Sequence, residues 1–342
     1  MSSTLHAFEQ KEVTLAGGEC LPAVRIAYRT RGTLNAESSN AVLLLHGYTG
    51  GPDMIDESSS VVDGSWGGLI GPGRAIDTDR YFVICPNVVG SCYGSTNAAS
   101  PHPTDGQPWG SRFPTLGMSD LVQILRGFLR HLAVPQLAAV IGNSFGGALA
   151  FQWGVDQPDD MRALVIVHAA PAMPGVDVAK LEAELSAMPG WNGGDYYCGD
   201  SDFRPMLTAR RLGALRAFGA DAVLAAEWPD PVARDAEMTR LAAQWAEGFD
   251  ANSLLILFKT MAGFDVSQRL GQMKAPLLYG LCRSDLLLPS NIAPSVLTGL
   301  QRAGVKVRYI DINSDHGHCA AGSDPTRWSP VLSDFLETYS GA

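Results

Sequence analysis

The sequence lacks an excess of basic residues. Its 342 residues include 25 lysines and arginines against 35 aspartates and glutamates, which gives a formal net charge of −10. A basic surface is what binds the phosphates of nucleic acids and the headgroups of anionic membranes, so the composition argues against both partners. The sequence also lacks an apolar run of the roughly 18 residues that a membrane-spanning helix needs. We therefore expect a protein that binds neither nucleic acid nor a membrane.

Signals for secretion and for metal binding are missing as well. The N-terminal segment contains Glu9, Lys11 and Glu12 and no apolar core, so we expect no signal peptide and a cytoplasmic location. No two cysteines have the Cys-x-x-Cys spacing of zinc or thioredoxin-like sites, and we expect reduced thiols and no metal site. The six cysteines are at positions 20, 85, 92, 198, 282 and 319.

Short apolar runs that end in turn residues are the clearest pattern that the sequence does contain. Runs that are apolar at every position are typical of strands buried on both faces, as in a parallel sheet covered by helices. Residues 121–132 lie between two of these runs and have apolar residues at helical spacing. The sequence therefore predicts an α/β fold with a mostly parallel sheet and helices on both faces. The runs span residues 41–45, 81–85, 137–141, 164–167, 276–280 and 305–310.

The middle of the chain has a different composition. Strand-like runs are missing between residues 174 and 254, where alanine, arginine, glutamate, tryptophan and glycine are frequent. A helical insertion at this point of an α/β sheet lies over the carboxyl ends of the strands, where substrates bind. We therefore predict a helical lid at residues 174–254 on a core formed by residues 1–173 and 255–342.

The most informative segment is Gly-Asn-Ser-Phe-Gly at residues 142–146, a Gly-x-Ser-x-Gly motif. It follows the apolar run 137–141 and precedes a helical pattern that begins at Ala148. In this context the turn is so tight that glycine is needed on both sides, and the serine is held in a strained conformation with its hydroxyl exposed. Ser144 is therefore the predicted nucleophile.

A serine at its ordinary pKa needs a histidine base, which in turn needs a carboxylate to orient it. In this kind of fold the chain order is serine, acid, histidine. Asp285 follows the run 276–280 and is the predicted carboxylate, with a turn-capping aspartate as the alternative. The run 305–310 leads to His316 and His318, and the residue pattern alone leaves both open as the base.

The oxyanion of the reaction needs backbone N–H donors. One is expected from Phe145, at the start of the helix after the nucleophile, and the other from Tyr48, in the loop after the run 41–45. His46 is in the same loop, where we favour a structural role with hydrogen bonds to the backbone over proton transfer. His168 has no context that suggests a function.

These segments, read together with others, resemble the homoserine O-acetyltransferase family of α/β-hydrolase-fold proteins. The resemblance implies the α/β-hydrolase fold, and the Gly-His pair of that family falls on Gly317 and His318, which favours His318 as the base. It also implies a homodimer. The matching segments are residues 69–85, Gly-Ser-Cys-Tyr-Gly-Ser-Thr at 90–96, Phe-Pro at 113–114, Trp-Asn-Gly-Gly at 191–194 and Phe-Asp-Ala-Asn-Ser at 249–253.

Two departures from the family concern the substrate. The family has an aspartate after its catalytic histidine, directed toward the amino group of homoserine, and this sequence has Cys319, a substrate-contact position without the charge. The family also has a lid arginine for the substrate carboxylate, in a Phe-Gly-Arg context that the segment after Phe218 does not match. Arg210 and Arg211 are nearby, but arginines in a helix rich in alanine and leucine are usually solvated. A zwitterionic amino acid would then leave its charges unpaired.

A related branch of the family hydrolyses short acetate esters such as ethyl acetate, and the sequence is more similar to that branch. We therefore expect a serine carboxylesterase that forms an acyl-enzyme on Ser144. The alternative is an acetyl-CoA-dependent O-acetyltransferase that acts on homoserine or another alcohol. A non-enzymatic binding module is a third possibility, but such modules often lose a triad member and here all three are present.

No cofactor is expected, because acyl transfer needs none and the sequence has no dinucleotide fingerprint. Gly71-Pro72-Gly73 predicts a turn rather than a phosphate-binding loop, since proline has no N–H to donate. The expected partner is a small-molecule ester.

Overall fold

A central eight-stranded sheet organises the molecule. The computed structural model describes residues 3–173 and 175–341. The strand order is β1-β2-β6-β3-β7-β8-β9-β10; the six strands from β6 to β10 are mutually parallel, and β1 and β2 are antiparallel at one edge. The predicted α/β-hydrolase fold is confirmed. The strands are His6–Thr14 (β1), Cys20–Arg31 (β2), Ala41–Leu45 (β3), Ile70–Gly71 (β4), Ile76–Asp77 (β5), Phe82–Pro86 (β6), Leu137–Asn143 (β7), Met161–Val167 (β8), Leu277–Cys282 (β9) and Val307–Ile312 (β10).

Helices cover both faces of this sheet, and β4 pairs with β5 outside it. Two apolar cores result, one on each face, because the strands between them are apolar at nearly every position. No helix in the described part of the chain is long and apolar enough to cross a bilayer. The helices are Met118–His131 (α1), Phe145–Asp156 (α2), Val178–Ser186 (α3), Arg204–Phe218 (α4), Ala220–Leu224 (α5), Pro231–Gly248 (α6), Ala251–Ala262 (α7), Ala293–Arg302 (α8), Ala320–Ser323 (α9) and Ser329–Tyr339 (α10).

All six apolar runs that the sequence predicts as strands are strands of the parallel part of the sheet. Their ends shift by up to three residues, as in β8, which begins at Met161 rather than at residue 164. The residue pattern did not predict strands β1 and β2. Most of β1 is exposed, and the buried residues of β2 are interrupted by exposed ones, so the continuous apolar run that marks a doubly covered strand does not occur in either.

The segment between β8 and β9 is helical. Helices α3 to α7 fall between these strands, with no strand among the described residues there. A small separate core forms where α4, α5 and α6 pack together and enclose Val62, from the loop after β3. These contacts hold the helical segment against the loops at the carboxyl edge of the sheet. Its treatment as a lid domain with boundaries at 174 and 254 stays a prediction.

Candidate active site

Ser144 occupies the turn between β7 and α2. Its backbone has φ 57° and ψ −119°, and its N–H donates to the carbonyl of Val167 at 3.0 Å. A Cβ on Gly142 would lie 2.0 Å from the carbonyl oxygen of Gly146, and one on Gly146 would lie 2.0 Å from that of Leu45. The flanking glycines are therefore required by close backbone contacts, as the motif predicts. The serine sits in the strained position of a nucleophile elbow.

His318 and Asp285 form a buried pair beyond the carboxyl ends of β9 and β10. The imidazole Nδ1 lies 2.7 Å from the Asp285 Oδ2. The other oxygen of Asp285 accepts hydrogen bonds from the backbone N–H groups of Leu287 and Leu288. Burial acts to raise the pKa of Asp285, but the charge of His318 and its hydrogen bond outweigh it and hold the pKa well below its usual range. Asp285 is therefore a stable anion that can orient the imidazole.

His318 rather than His316 makes this pair. The Nδ1 of His316 instead lies 3.0 Å from the hydroxyl of Ser323. The Nε2 of His318 is buried and has no hydrogen-bond partner among the described residues. His318 and Ser144 line the same two cavities, so this nitrogen is free for the serine hydroxyl or a leaving group.

The loop after β3 passes directly beside Ser144. A Cβ built on Gly47 would lie 4.0 Å from the Cβ of Ser144. Within the described ranges, no hydrogen bond occupies the N–H of Tyr48 or of Phe145, the two predicted oxyanion donors. His46 holds the loop: its Nδ1 lies 2.8 Å from the Gly47 carbonyl, and its Nε2 accepts from the N–H of Val88. Those contacts confirm the structural role expected for His46.

Three cavities meet at the side chain of Tyr48. A small one of about 50 Å³ and a large one of about 740 Å³ both reach Ser144 and His318. The third, of about 280 Å³, includes Arg210 and Arg211 in its lining. Ser144 and His318 thus line two spaces that substrates can fill, and Tyr48 borders all three cavities.

The alpha/beta hydrolase fold family matches residues 40–292 of the chain. The homoserine O-acetyltransferase of Haloferax volcanii is 36% identical over 94% of this chain and 86% of that protein. This chain belongs to the alpha/beta hydrolase family. A homoserine O-acetyltransferase from Bacillus anthracis has a crystal structure with a TM-score of 0.85, 26% identity and coverage of 98% of both chains. An esterase of known structure also has a TM-score of 0.85, at 24% identity and coverage of 97% and 99%, which shows the same fold.

Arg211 of this alpha/beta hydrolase contradicts the expectation that the two arginines are solvated, whereas Arg210 is half-buried. Arg211 is 2% exposed; it forms an ion pair with Asp63 and donates to the hydroxyl of Thr49 at 2.9 Å. Arg210 pairs with Glu184, and its guanidinium lies 5.5 Å from the centre of the Phe258 ring. The prediction was wrong because α4 packs against α6 on one side and against the loop after β3 on another, which its sequence pattern does not reveal.

Cys319 lines the small cavity together with Ser144 and His318. Burial raises the pKa of its thiol to about 12, with a further increase from Asp63 and a decrease from Arg211. The thiol is therefore neutral at physiological pH, in agreement with the expectation that Cys319 offers a substrate no charge. Asp63 lines the same cavity and is its one carboxylate among the described residues.

His168 lies beside the site, although its sequence context predicts no function. It follows β8 directly, is fully buried with φ 49°, and its ring centre lies 5.2 Å from that of His318. Neither ring nitrogen has a hydrogen-bond partner within the described residues. Burial, together with the charge of His318, lowers the pKa of His168 to about 3. Its place at the carboxyl end of a predicted strand was the available signal, because such ends converge on the site in α/β sheets.

We expect His168 to make this protein less stable at mildly acidic pH. Between about pH 6.5 and pH 3 the unfolded chain binds one proton more than the folded chain at this residue, so stability rises with pH by about 1.4 kcal/mol per unit. His168→Gln removes that term, and the loss between pH 6.5 and pH 5 should shrink by about 2 kcal/mol. Urea unfolding at the two pH values measures it. The exposed His131→Gln is the control, and equal losses in His168→Gln and wild type would contradict the prediction.

His168, Asp285 and His318 each offer a ligand atom within 4.8 Å of the others, which is compatible with a metal ion. Two of these atoms are already joined by the hydrogen bond between Asp285 and His318. A metal bound there would have to displace that hydrogen bond and would compete with the orientation of the imidazole. The donor set therefore fits a hydrogen-bonded acid–base pair better than a metal centre.

Proposed function

We propose that this protein is an O-acyltransferase with a serine nucleophile. It transfers an acetyl-type group to the hydroxyl of a small amino acid of the homoserine class. The observation that carries the proposal is the pair of arginines, Arg210 and Arg211, in the cavity that adjoins Tyr48. The likeness to homoserine O-acetyltransferases over nearly the whole chain supports the same acceptor. The donor is an activated acyl compound, such as the thioester acetyl-CoA.

The first half of the proposed reaction forms an acyl-enzyme. The Ser144 hydroxyl attacks the carbonyl carbon of the donor, and the Nε2 of His318 takes its proton. The N–H groups of Tyr48 and Phe145 stabilise the oxyanion, and each such donor is typically worth about 10²–10³ in rate. His318 then gives the proton to the leaving group while Asp285 stabilises the imidazolium. The acyl group remains on the serine oxygen.

In the second half the acceptor hydroxyl replaces the leaving group. His318 removes its proton, the oxygen attacks the acyl carbon, and Ser144 is released with its proton restored. The carboxylate of the acceptor takes over part of the pairing that Arg211 makes with Asp63 and that Arg210 makes with Glu184. Asp63, which lines the cavity of Ser144, then supplies the negative charge for the ammonium group that Cys319 does not. The amino acid thus meets both signs of charge in two cavities that adjoin Tyr48, which lowers the cost of the unpaired charges that favoured the esterase.

Hydrolysis of short esters is the second candidate, and the neutral thiol of Cys319 favours it. Without a carboxylate directly after the base, water can compete with the amino acid for the acyl-enzyme. The first half of the reaction is the same in both cases. The two functions differ only in the acceptor.

The partition of the acyl group between acceptors tests the proposal. Purified protein receives acetyl-CoA, with and without L-homoserine, and both acetate and O-acetylhomoserine are measured. We expect O-acetylhomoserine to be the main product. Arg210→Met should raise the KM for homoserine by about 10–100-fold, the worth of a hydrogen bond to a charged group. Arg216→Met, on the exposed side of the same helix, is the control. Acetate as the sole product at saturating homoserine would establish the hydrolase instead.

A further inference from the structure

The two cavities that reach Ser144 differ greatly in size. The small cavity has about 50 Å³ and the large one about 740 Å³, and His318 lines both. Fifty cubic ångströms is room for a few heavy atoms, whereas 740 Å³ is within the range of sites for drug-sized ligands. The two parts of an acyl donor, its acyl group and its leaving group, extend in different directions from the carbon that the serine attacks. The cavities therefore offer these two parts very different amounts of space.

The lining of the large cavity is mostly apolar, and its polar members are Tyr48, His318 and three serines. None of its described residues is an aspartate, glutamate, lysine or arginine. Leu288 and Met261, both buried, contribute to its wall, and Leu287, which is 47% exposed, contributes from the loop after Asp285. The phosphates of a nucleotide carrier would find no cation on this lining. A neutral, apolar group would bury its surface there at about 25 cal/mol per Å².

We infer that the large cavity binds the alcohol part of an acyl donor, and that this protein uses acetate esters of apolar alcohols larger than ethanol. The small cavity holds the acetyl group. The inference rests on the proposed acyl-enzyme of Ser144 and adds the class of donor to it. These esters serve as acyl donors in addition to, or in place of, a thioester.

Transfer of the acetyl group from the ester to Ser144 needs no further reactant. A bond forms between the Ser144 oxygen and the acetyl carbon, and the bond between that carbon and the alcohol oxygen breaks. The serine proton passes through His318 to the alcohol oxygen, so a neutral apolar alcohol leaves from the large cavity. Water or an acceptor hydroxyl then takes the acetyl group, and the proton from that hydroxyl returns to Ser144.

A pair of isomeric esters tests which cavity holds which part. Hexyl acetate and ethyl hexanoate have the same formula and similar hydrophobicity, but their long chains are on opposite sides of the ester. Each buried methylene contributes up to about fourfold in binding. We expect kcat/KM for hexyl acetate to exceed that for both ethyl acetate and ethyl hexanoate by at least about tenfold. Faster cleavage of ethyl hexanoate would assign the acyl chain to the large cavity, and equal values for all three esters would remove any role for it.

Substitutions at Gly299 of α8 locate the effect in the cavity. A Cβ built there would contact only the Cδ1 of Leu270, at 3.7 Å, so a β-carbon fits and points toward another residue of the cavity lining. Gly299→Phe should lower the ratio of kcat/KM for hexyl acetate over ethyl acetate by about tenfold, and Gly299→Ala should change it little. The ratio cancels any general loss of activity. An unchanged ratio in Gly299→Phe would contradict the inference.

Acetyl transfer to homoserine and the preference for hexyl acetate are measured separately, and each can be absent without the other. If O-acetylhomoserine forms from acetyl-CoA while the isomeric esters are cleaved equally, the transferase stands and the inference fails. If hexyl acetate is preferred but homoserine accepts no acetyl group, the donor site stands and the acceptor is wrong.

Discussion

Replacement of Ser144 with alanine should lower kcat for acyl transfer and for ester cleavage by at least about 10⁴-fold. The reason is that the acyl-enzyme cannot form, since no other hydroxyl occupies the turn between β7 and α2. The remaining rate would come from the free N–H groups of Tyr48 and Phe145, which polarise the carbonyl for attack by water. Rates with an ester and with acetyl-CoA measure the effect.

A covalent label separates this loss from misfolding. A serine-directed phosphonate should add one adduct mass to the wild-type protein and none to Ser144→Ala, while the two proteins unfold at similar urea concentrations. Ser333→Ala, at an exposed hydroxyl of α10, is the control and should be labelled like wild type. Full activity in Ser144→Ala would overturn both the transferase and the esterase.

Asp285→Asn should be the second most damaging change, with a loss of about 10⁴-fold in kcat. The amide oxygen of an asparagine can still accept from the N–H groups of Leu287 and Leu288, so the loop is retained. Its NH₂ group then faces the Nδ1 of His318 and forces that nitrogen to accept. The proton moves to Nε2, which can no longer take the proton of Ser144.

Because Asp285→Asn acts through the tautomer of His318, we expect a loss in kcat with little change in the free energy of unfolding. Asp311→Asn removes the same charge from an exposed ion pair with Arg283 and is the matched control. We expect the control to keep its activity within about twofold, since exposed ion pairs contribute little. A loss of less than tenfold in Asp285→Asn would mean that another group orients the imidazole, and His168 would be the first residue to examine.

The sequence predicted the parallel part of the sheet because each strand carries its own signal. A run such as residues 41–45 is apolar throughout, since both of its faces are covered. The edge strand β1 and its neighbour β2 have no such signal, because most of β1 is exposed and the buried residues of β2 are interrupted by exposed ones. The error was therefore confined to the place where burial is one-sided.

Residue patterns around the site predicted Ser144 and Asp285 but left His316 and His318 open. Both histidines follow the same strand, and two residues of separation in a short turn are enough to direct one ring to Asp285 and the other to Ser323. The family resemblance favoured His318, and the structure pairs His318 with Asp285. A turn of this length has no periodicity from which side-chain direction could be inferred.

The sequence by itself determined the parallel part of the sheet, the nucleophile turn and the chain order of serine, acid and histidine. These features are encoded in contiguous residues, since the elbow needs only a strand, two glycines and a helix start. Only the tertiary structure decided that Arg211 is buried beside Asp63, that His168 lies against His318, and how large the cavities are. Each of these depends on segments far apart in the chain, because burial and cavity size arise from packing between elements rather than from the pattern within one.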